Sequence, residues 1–224
     1  MLSETLRSQF DVLDRFVREK PDQVADLGAG LGHHTQWFLE RDMRVLAVDR
    51  VLTADLATIV KESSGACRFI CADVGRLPLR DGVLKSIWAS HCLEHMEDPL
   101  TTLREWRRVL GREGMLGVLV PPYKTEIVGR HVFTGWNVGQ LMLTLFRTGF
   151  RVRDGIFARH GYNVFAVVRR CENPPNLGPN DEILCQYHEH FPPAIEREIL
   201  EHTSKNPFGE MIGRFQGDIA RLGW

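Results

Sequence analysis

The stretch Val24-Ala25-Asp26-Leu27-Gly28-Ala29-Gly30-Leu31-Gly32 decides the expected fold. Residues 24–27 have the apolar character of a short buried strand, and the glycines that follow form a tight turn into a helix predicted over 34–41. A glycine-rich turn lets a ligand approach the backbone at the carboxyl edge of the strands, where open α/β sheets bind nucleotides. Alone, the turn is weak evidence, because it is also a simple connection between a strand and a helix.

Strands and helices alternate outward from this turn. Apolar, β-branched runs predict strands at residues 24–27, 44–49, 68–72, 86–89, 115–120, 150–154 and 162–169. Amphipathic segments predict helices at residues 2–17, 34–41, 55–62, 99–110 and 137–148. This alternation indicates an α/β fold, with a doubly wound, mostly parallel sheet of Rossmann-like type and right-handed crossovers.

The composition excludes several classes of function. The 224 residues carry a formal net charge of -1, so no bulk electrostatic attraction to nucleic acid or anionic lipid is expected. No apolar run approaches the roughly 20 residues that cross a bilayer, and the opening segment is amphipathic and acidic, unlike a signal peptide. The five cysteines form no C-x-x-C pair, a usage that suits a reducing compartment. The sequence therefore predicts a cytoplasmic protein without membrane insertion and without a nucleic-acid partner.

The spacing of the glycines narrows the class of ligand. A dinucleotide-binding fingerprint, G-x-G-x-x-G, would place glycine where His33 stands. No lysine follows the turn as it does in a P-loop. We therefore expect neither a dinucleotide nor a nucleoside triphosphate.

Acids at the ends of successive strands point to a different ligand. Asp49 closes the second strand about 20 residues past the turn, where a carboxylate can accept both ribose hydroxyl protons. Asp73 follows the third strand, suitably placed to accept a hydrogen bond from an adenine amino group, and Asp26 ends the first strand. Three acids would repel a pyrophosphate but attract a cation. The pattern therefore predicts a nucleoside that carries positive charge.

These motifs together resemble the class I S-adenosylmethionine-dependent methyltransferases, and most closely the subgroup that includes the ubiquinone- and menaquinone-biosynthesis enzymes. The resemblance spans roughly residues 20 to 170 and rests on residues 26–32, Asp49, residues 72–79 and residues 92–99. It implies a seven-stranded methyltransferase sheet and S-adenosylmethionine as the cofactor. The implied cofactor-binding residues are Asp26, Gly28, Ala29, Gly30, Asp49, Arg50, Asp73, Val74 and Ser90.

The resemblance also divides this set by role. Asp26, Gly28 and Gly30 are expected at the methionine end of the cofactor, and Ser90 is expected to contact the methionyl part. Asp49 is expected to hold the ribose. Asp73 and the backbone of Val74 are expected to hold the adenine.

Two histidines are candidates for catalysis on the acceptor. His95 follows the fourth strand, and His131 lies in a loop expected to cover the acceptor pocket. Either can act as a general base or simply form structural hydrogen bonds. Further pocket candidates are Tyr123, Arg130, Trp136 and Asn163. His188 and His190 lack further ligands at zinc spacing, so no metal site is predicted.

A change of composition at Glu172 suggests a boundary. Turn-forming residues fill 173–180, and short helices are predicted near 194–202 and 210–222. We predict a cofactor-binding domain at residues 1–171 and a linker with a short helical C-terminal extension at 172–224. Since the cofactor motifs all precede the linker, the extension is expected to be separable from cofactor binding and is a possible homodimer surface.

The expected activity is methyl transfer to a small-molecule or saccharide acceptor, on a hydroxyl oxygen. Methyl transfer from a sulfonium needs little covalent help, so the lack of a nucleophile triad is no objection. A nicotinamide-dependent dehydrogenase shares the sheet but does not match the glycine spacing. A polyamine-forming aminopropyl transferase uses a similar cofactor, but it would need an acid-rich acceptor site that the sequence does not show. A non-catalytic regulator or scaffold that binds the cofactor is the third alternative, and product formation would separate it from an enzyme.

Overall fold

The computed structural model describes residues 4–18, 21–124, 128–133, 135–178 and 183–205. Seven strands form one sheet: β1 Gln23–Leu27, β2 Arg44–Asp49, β3 Cys67–Cys71, β4 Leu84–Ser90, β5 Leu110–Val120, β6 Phe150–His160 and β7 Asn163–Arg170. Their order across the sheet is β3-β2-β1-β4-β5-β7-β6. The first five strands are parallel, whereas β7 runs antiparallel to both β5 and β6. The predicted α/β fold with a mostly parallel seven-stranded sheet is confirmed.

The described residues also form seven α-helices: α1 Glu4–Val17, α2 His33–Leu39, α3 Ala54–Glu62, α4 Pro99–Val109, α5 Val138–Arg147, α6 Ile183–Gln186 and α7 Pro193–Lys205. Three of them begin at side chains that cap the free amides of the first turn. Thr53 caps α3, Asp98 caps α4 and Asn137 caps α5. None of the helices in the described ranges combines the length and apolarity that a bilayer crossing needs.

Aromatic packing fixes the layers on the sheet. Trp88 of β4 is fully buried, with its ring 5.4 Å from that of Phe16 on α1 and 6.3 Å from that of Phe38 on α2. On β5, a Cβ at Gly117 would lie 2.6 Å from Trp88, so only glycine leaves room for this indole. A second core cluster contains Trp106 of α4, which donates its indole N–H to the carbonyl oxygen of Val74 at 2.9 Å. That bond ties α4 to the loop after β3 and helps position the candidate site.

Strands β5 and β6 extend furthest beyond their predicted bounds. β5 begins at Leu110 rather than at residue 115, because Leu110 pairs with Leu84 before a register shift in the β4–β5 ladder. Residues 111–114 form the irregular start of this strand, where Glu113 has a φ of 53°. β6 continues to His160, beyond the predicted end at residue 154.

The C-terminal extension packs against the sheet domain. Helix α7 overlaps the helix predicted at 194–202, whereas the one predicted at 210–222 lies outside the described residues. Phe191 is buried, with its ring 5.0 Å from that of Phe146 on α5. Arg153 of β6 donates to the carbonyl oxygen of Phe191 at 3.2 Å and to Glu196 at 2.9 Å. The boundary at residue 172 stays a prediction, but the expected independence of the extension conflicts with this packing.

Candidate cofactor and acceptor site

The glycine turn lies at the carboxyl edge of the sheet, between the ends of β1 and β2. The backbone amides of Gly28 and Ala29 both donate to the carbonyl oxygen of Val48, at 2.8 and 3.2 Å. Gly28, Gly30 and Gly32 have φ values of 74°, 55° and 86°, in the left-handed region that favours glycine. Among the described parts of the chain, a Cβ at Gly30 would meet nothing closer than a carbonyl oxygen at 3.9 Å, so the space beside this residue is open to a ligand.

Asp49 holds this turn in place. Its Oδ2 accepts a hydrogen bond from the amide of Gly30 at 2.9 Å, and its Oδ1 accepts one from the amide of Val51 at 3.2 Å. The sequence assigned the carboxylate to ribose alone, so its role in positioning the glycine turn was missed. A carboxylate has about four lone-pair sites, so two remain for the hydroxyls of a ribose.

Asp73 pairs with Arg50, a contact that the sequence did not predict although it named both residues. Its Oδ1 accepts from the amide of Gly75 at 2.8 Å, and its Oδ2 accepts from the Arg50 guanidinium. The Gly75 amide and the Arg50 charge hold the pKa of Asp73 below its usual value. The carboxylate is therefore an ionised acceptor at the position expected for the adenine amino group.

Asp26 is a buried acid near the same edge. Its exposed fraction is 1%, and Thr35 of α2 donates to its Oδ2 at 2.6 Å, a partner that the sequence reasoning missed. Burial raises the pKa of Asp26 to about 6, since the Thr35 hydrogen bond only partly offsets the loss of water and the nearby Asp49 adds repulsion. A cationic ligand beside Asp26 would favour its ionised form.

Ser90 ends β4 at this edge. It is buried, and its Oγ has no hydrogen-bond partner within the described residues. Buried hydroxyls usually find a partner, so this one is available to a ligand. The glycine turn, Asp26, Asp49, Arg50, Asp73, Val74 and Ser90 are called the cofactor half of the edge below.

The other part of the edge is built around a buried carboxylate. Glu94 is fully buried, and its Oε1 lies 3.1 Å from Nδ1 of His91, whose Nε2 lies 2.8 Å from Oδ1 of Asn163. Burial alone would lower the pKa of His91, but the Glu94 carboxylate and Asn163 outweigh it and raise the pKa. His91 has a φ of 49°, a strained value for this residue. The sequence named Asn163 as a pocket candidate but missed His91 and Glu94.

The two candidate catalytic histidines lie side by side. The ring centroids of His95 and His131 are 5.0 Å apart, and Nδ1 of His95 lies 2.8 Å from the carbonyl oxygen of Arg130. Burial lowers the pKa of His131, which favours its neutral form near pH 7. Residues 91–95, residues 128–133 and Asn163 are called the acceptor half of the edge below.

Two further pocket candidates, Trp136 and Tyr123, differ in their exposure to solvent. Trp136 is buried, and its backbone is bonded to Pro121 and Tyr123, so it holds the segment after β5 in place. The Tyr123 side chain is 65% exposed. In the extension, His188 lies 3.3 Å from Glu196, within the packing of α7. These contacts give Trp136 and His188 structural roles.

A cavity of about 380 Å³ lies at the opposite, amino edge of the sheet, lined by residues such as Gln23, Arg44 and Lys85 at the starts of strands. It shares no residue with the cofactor half. Because open α/β sheets bind their ligands beyond the carboxyl ends of the strands, the carboxyl edge is the better candidate for the functional site.

The fold is that of the open α/β domains that bind nucleotides at the carboxyl edge of the sheet. Comparisons with known proteins narrow this class. Residues 25–118 match a family described as a methyltransferase domain. A solved 1,6-didemethyltoxoflavin-N1-methyltransferase from Burkholderia thailandensis, with bound S-adenosylhomocysteine, superposes with a TM-score of 0.63 at 20% identity, over 74% of this chain and 77% of that one. These comparisons support a class I S-adenosylmethionine-dependent methyltransferase domain, in agreement with the resemblance found in the sequence.

Two curated relatives share this domain. A malonyl-[acyl-carrier protein] O-methyltransferase from Halorhodospira halophila is 35% identical over 116 residues, which are 47% of this chain and 39% of the relative. A demethylmenaquinone methyltransferase from Chlamydia pneumoniae is 30% identical over 107 residues, 46% of each chain. The chain thus matches less than half of the length of either relative.

The residues at the carboxyl edge fit S-adenosylmethionine. The unpartnered hydroxyl of Ser90 and the buried acid Asp26 suit the polar, cationic methionyl end, and the open space at Gly30 leaves the backbone accessible. Asp49 and Asp73 keep lone pairs for the ribose and the adenine.

Proposed function

We propose that this protein transfers a methyl group from S-adenosylmethionine to a hydroxyl of a small-molecule acceptor in the cytoplasm. The observation that carries the proposal is the arrangement at the carboxyl edge, where the buried Asp26 and the left-handed glycine turn belong to the same edge as the paired His95 and His131. The methyltransferase family match supports the reaction type. The name of the relative from Halorhodospira halophila supports oxygen as the methylated atom.

The cofactor half binds and orients the nucleoside. Asp49 accepts hydrogen bonds from the ribose hydroxyls. Asp73 and the backbone of Val74 hold the adenine beside Arg50. Asp26 and Ser90 bind the methionyl end and place the sulfur toward the acceptor half. When bound, S-adenosylmethionine supplies a methyl group already activated by a cationic sulfur.

The acceptor half aligns the hydroxyl and provides for the loss of its proton. As the carbon–oxygen bond forms, the proton must leave, and a neutral imidazole can take it near pH 7. His95 is the first candidate and His131 the second. The two rings are in contact. His95 lies on the turn after β4, and His131 lies on the segment that is hydrogen-bonded to this turn.

The form of the acceptor and the assembly of the protein are finer parts of the proposal. The more specific acceptor expected from the sequence is a saccharide hydroxyl, and the C-terminal extension is the surface proposed for a homodimer. A metabolite screen and a measurement of molar mass in solution test these two points separately.

Calorimetry with three ligands tests the cofactor assignment. S-adenosylmethionine and S-adenosylhomocysteine are expected to bind and NAD is not, because His33 stands where a dinucleotide fingerprint needs glycine. Binding of NAD without a response to either sulfur nucleoside would overturn the proposal. A methyl-labelled cofactor offered with a metabolite extract then tests turnover. Cofactor binding without any labelled product would favour the scaffold alternative.

A further inference from the structure

Within the described residues, one carboxylate oxygen in the acceptor half has no hydrogen-bond partner. Glu94 is fully buried, and its Oε1 is bonded to His91, but its Oε2 has no hydrogen bond within the described residues. An unpaired, buried carboxylate oxygen is costly unless a charge or a hydrogen-bond donor compensates it.

Two imidazoles lie near the Glu94 carboxylate. The candidate ligand atoms of Glu94, His95 and His131 all lie within 4.8 Å of one another. Nδ1 of His95 lies at hydrogen-bond distance from the carbonyl oxygen of Arg130, which can only accept, so this nitrogen carries the proton and Nε2 has the free lone pair. A backbone carbonyl that fixes the tautomer of a histidine in this way is typical of metal ligands.

Backbone hydrogen bonds hold these side chains together. The amides of Val132 and Phe133 both donate to the carbonyl oxygen of Glu94, at 2.9 and 3.3 Å. The amide of His131 donates to the carbonyl oxygen of Val128 at 2.9 Å. The segment that carries His131 is therefore fastened to the turn that carries Glu94 and His95, although they lie far apart in sequence.

We propose that Glu94, His95 and His131 form a binding site for one divalent transition-metal ion. Two imidazole nitrogens and one carboxylate oxygen suit manganese, iron, cobalt, nickel or zinc better than magnesium or calcium, which prefer oxygen ligands. Ligand bonds of about 2.1 Å place donor atoms roughly 3 Å apart around one ion, so small side-chain rotations close the site. His91 orients Glu94 from behind, as second-shell groups do for metal ligands.

Three protein ligands leave positions open on the ion, as in catalytic rather than structural sites. The catalytic use of this ion rests on the proposed function. The open position binds the acceptor hydroxyl and lowers the pKa of that hydroxyl. Its O–H bond breaks and the proton passes to solvent, while the oxygen–methyl bond forms and the methyl–sulfur bond breaks to release S-adenosylhomocysteine. In this arrangement the two histidines act as ligands rather than as direct bases.

A cobalt titration of the full chain tests the site without any acceptor. The purified protein is stripped with a chelator and titrated with Co²⁺, followed by calorimetry and by visible d–d absorption. We expect one ion per chain. Glu94→Gln and His131→Ala should each weaken cobalt binding by more than about 100-fold, beyond the 10–100-fold expected when a second-shell residue is lost. His91→Asn, which tolerates a left-handed backbone, should fall within that second-shell range.

His188→Ala is the matched control, because it removes a histidine that also lies beside acids but outside the proposed site. It should keep full cobalt affinity. No cobalt binding up to millimolar concentration, equal affinity in Glu94→Gln, or loss of binding in His188→Ala would overturn the proposal. A thiolate–cobalt charge-transfer band would do the same, because it would place the ion on cysteine.

The titration also separates this proposal from the proposed function. Cobalt binding is read without a nucleoside, whereas S-adenosylhomocysteine binding depends on the cofactor half. If cobalt binds as expected and S-adenosylhomocysteine does not, only the proposed function fails. If Glu94→Gln does not fold, His131→Ala carries the test, because His131 lies in a surface segment rather than in the buried turn.

Discussion

The cofactor half and the acceptor half of the carboxyl edge are assembled differently. In the cofactor half, Asp26, Asp49 and Asp73 each lie at or just after the end of a parallel strand, so the topology alone brings them to one edge. In the acceptor half, His91 and Asn163 meet across 72 positions of sequence, and His95 meets the carbonyl of Arg130 across 35. The local sequence pattern of strands and strand-ending acids therefore predicts the cofactor half, whereas hydrogen bonds between residues far apart in sequence build the acceptor half.

Both halves rest on a sheet domain that also packs against the C-terminal extension through α5 and β6, and removing the extension should have the largest effect. A chain that ends at Arg170 loses four buried side chains, Ile183, Phe191, Ile195 and Ile199. At about 1.5–3 kcal/mol each, their burial is comparable to the total stability of about 5–15 kcal/mol of a typical domain. We expect the truncated chain to be unfolded or insoluble, as circular dichroism would show.

Phe191→Ala in the full chain is the milder companion of this truncation. Loss of a buried phenylalanine should lower the free energy of unfolding by about 3–5 kcal/mol. A truncated chain that stays folded and binds S-adenosylhomocysteine with normal affinity would show that the extension is separable, as the sequence suggested.

Replacement of the paired histidines should separate the two halves by function. His95→Ala and His131→Ala should each lower turnover by about 10²–10⁴, the range for loss of a general base. If the two histidines act as metal ligands instead, their loss should impair turnover as well. Affinity for S-adenosylhomocysteine should stay nearly unchanged, because neither residue belongs to the cofactor half. Kinetics and calorimetry on both variants make the measurement, with His188→Ala as the control. Near-normal turnover in both variants would mean that the acceptor needs neither imidazole, as an amine, thiol or carbon nucleophile might not.

The same difference explains what the sequence could predict. All seven strands, the glycine turn and the three acids follow from apolar periodicity and from the expected edge of a parallel sheet. Glu94 could not be recognised, because an acid in a turn is usually exposed, and its burial depends on Asn163 and His91. The grouping of Glu94, His95 and His131 was not predicted for a related reason, since two adjacent residues and a third in a distant loop match no familiar ligand spacing.

Replacement of Asp49 should affect cofactor affinity alone. Asp49→Ala should weaken S-adenosylhomocysteine binding by roughly 1.5–3 kcal/mol, the range for hydrogen bonds to a charged group. We expect the upper part of this range, because Asp49 also holds the amide of Gly30. Calorimetry makes the measurement, and Asp55→Ala, an exposed acid at the start of α3, is the matched control. An unchanged dissociation constant for Asp49→Ala would remove it from the site.

The smallest expected effect is a dependence of cofactor affinity on pH, set by Asp26. Burial raises the pKa of Asp26 to about 6 in the folded protein, so the side chain is largely ionised at pH 7.5 and largely protonated at pH 5. A ligand with a positive charge beside Asp26 prefers the ionised carboxylate. Binding must then release a proton below pH 6, and affinity must fall as the pH falls through that value.

The size and origin of this effect can be bounded and isolated. If the ligand binds only the ionised form, affinity is constant well above pH 6 and falls by at most tenfold per pH unit below it, about tenfold between pH 7.5 and pH 5. The half-buried His34 does not interfere, because loss of water around its ring lowers its pKa to about 3. Asp26→Asn should bind S-adenosylhomocysteine more weakly at pH 7.5 but without this decline, so the difference between the two pH profiles belongs to Asp26. Calorimetry at half-unit steps from pH 5 to pH 7.5 makes the measurement. Parallel profiles for the two proteins would show that the cationic end of the ligand lies away from Asp26, and the methionyl end would then have to be reassigned within the cofactor half.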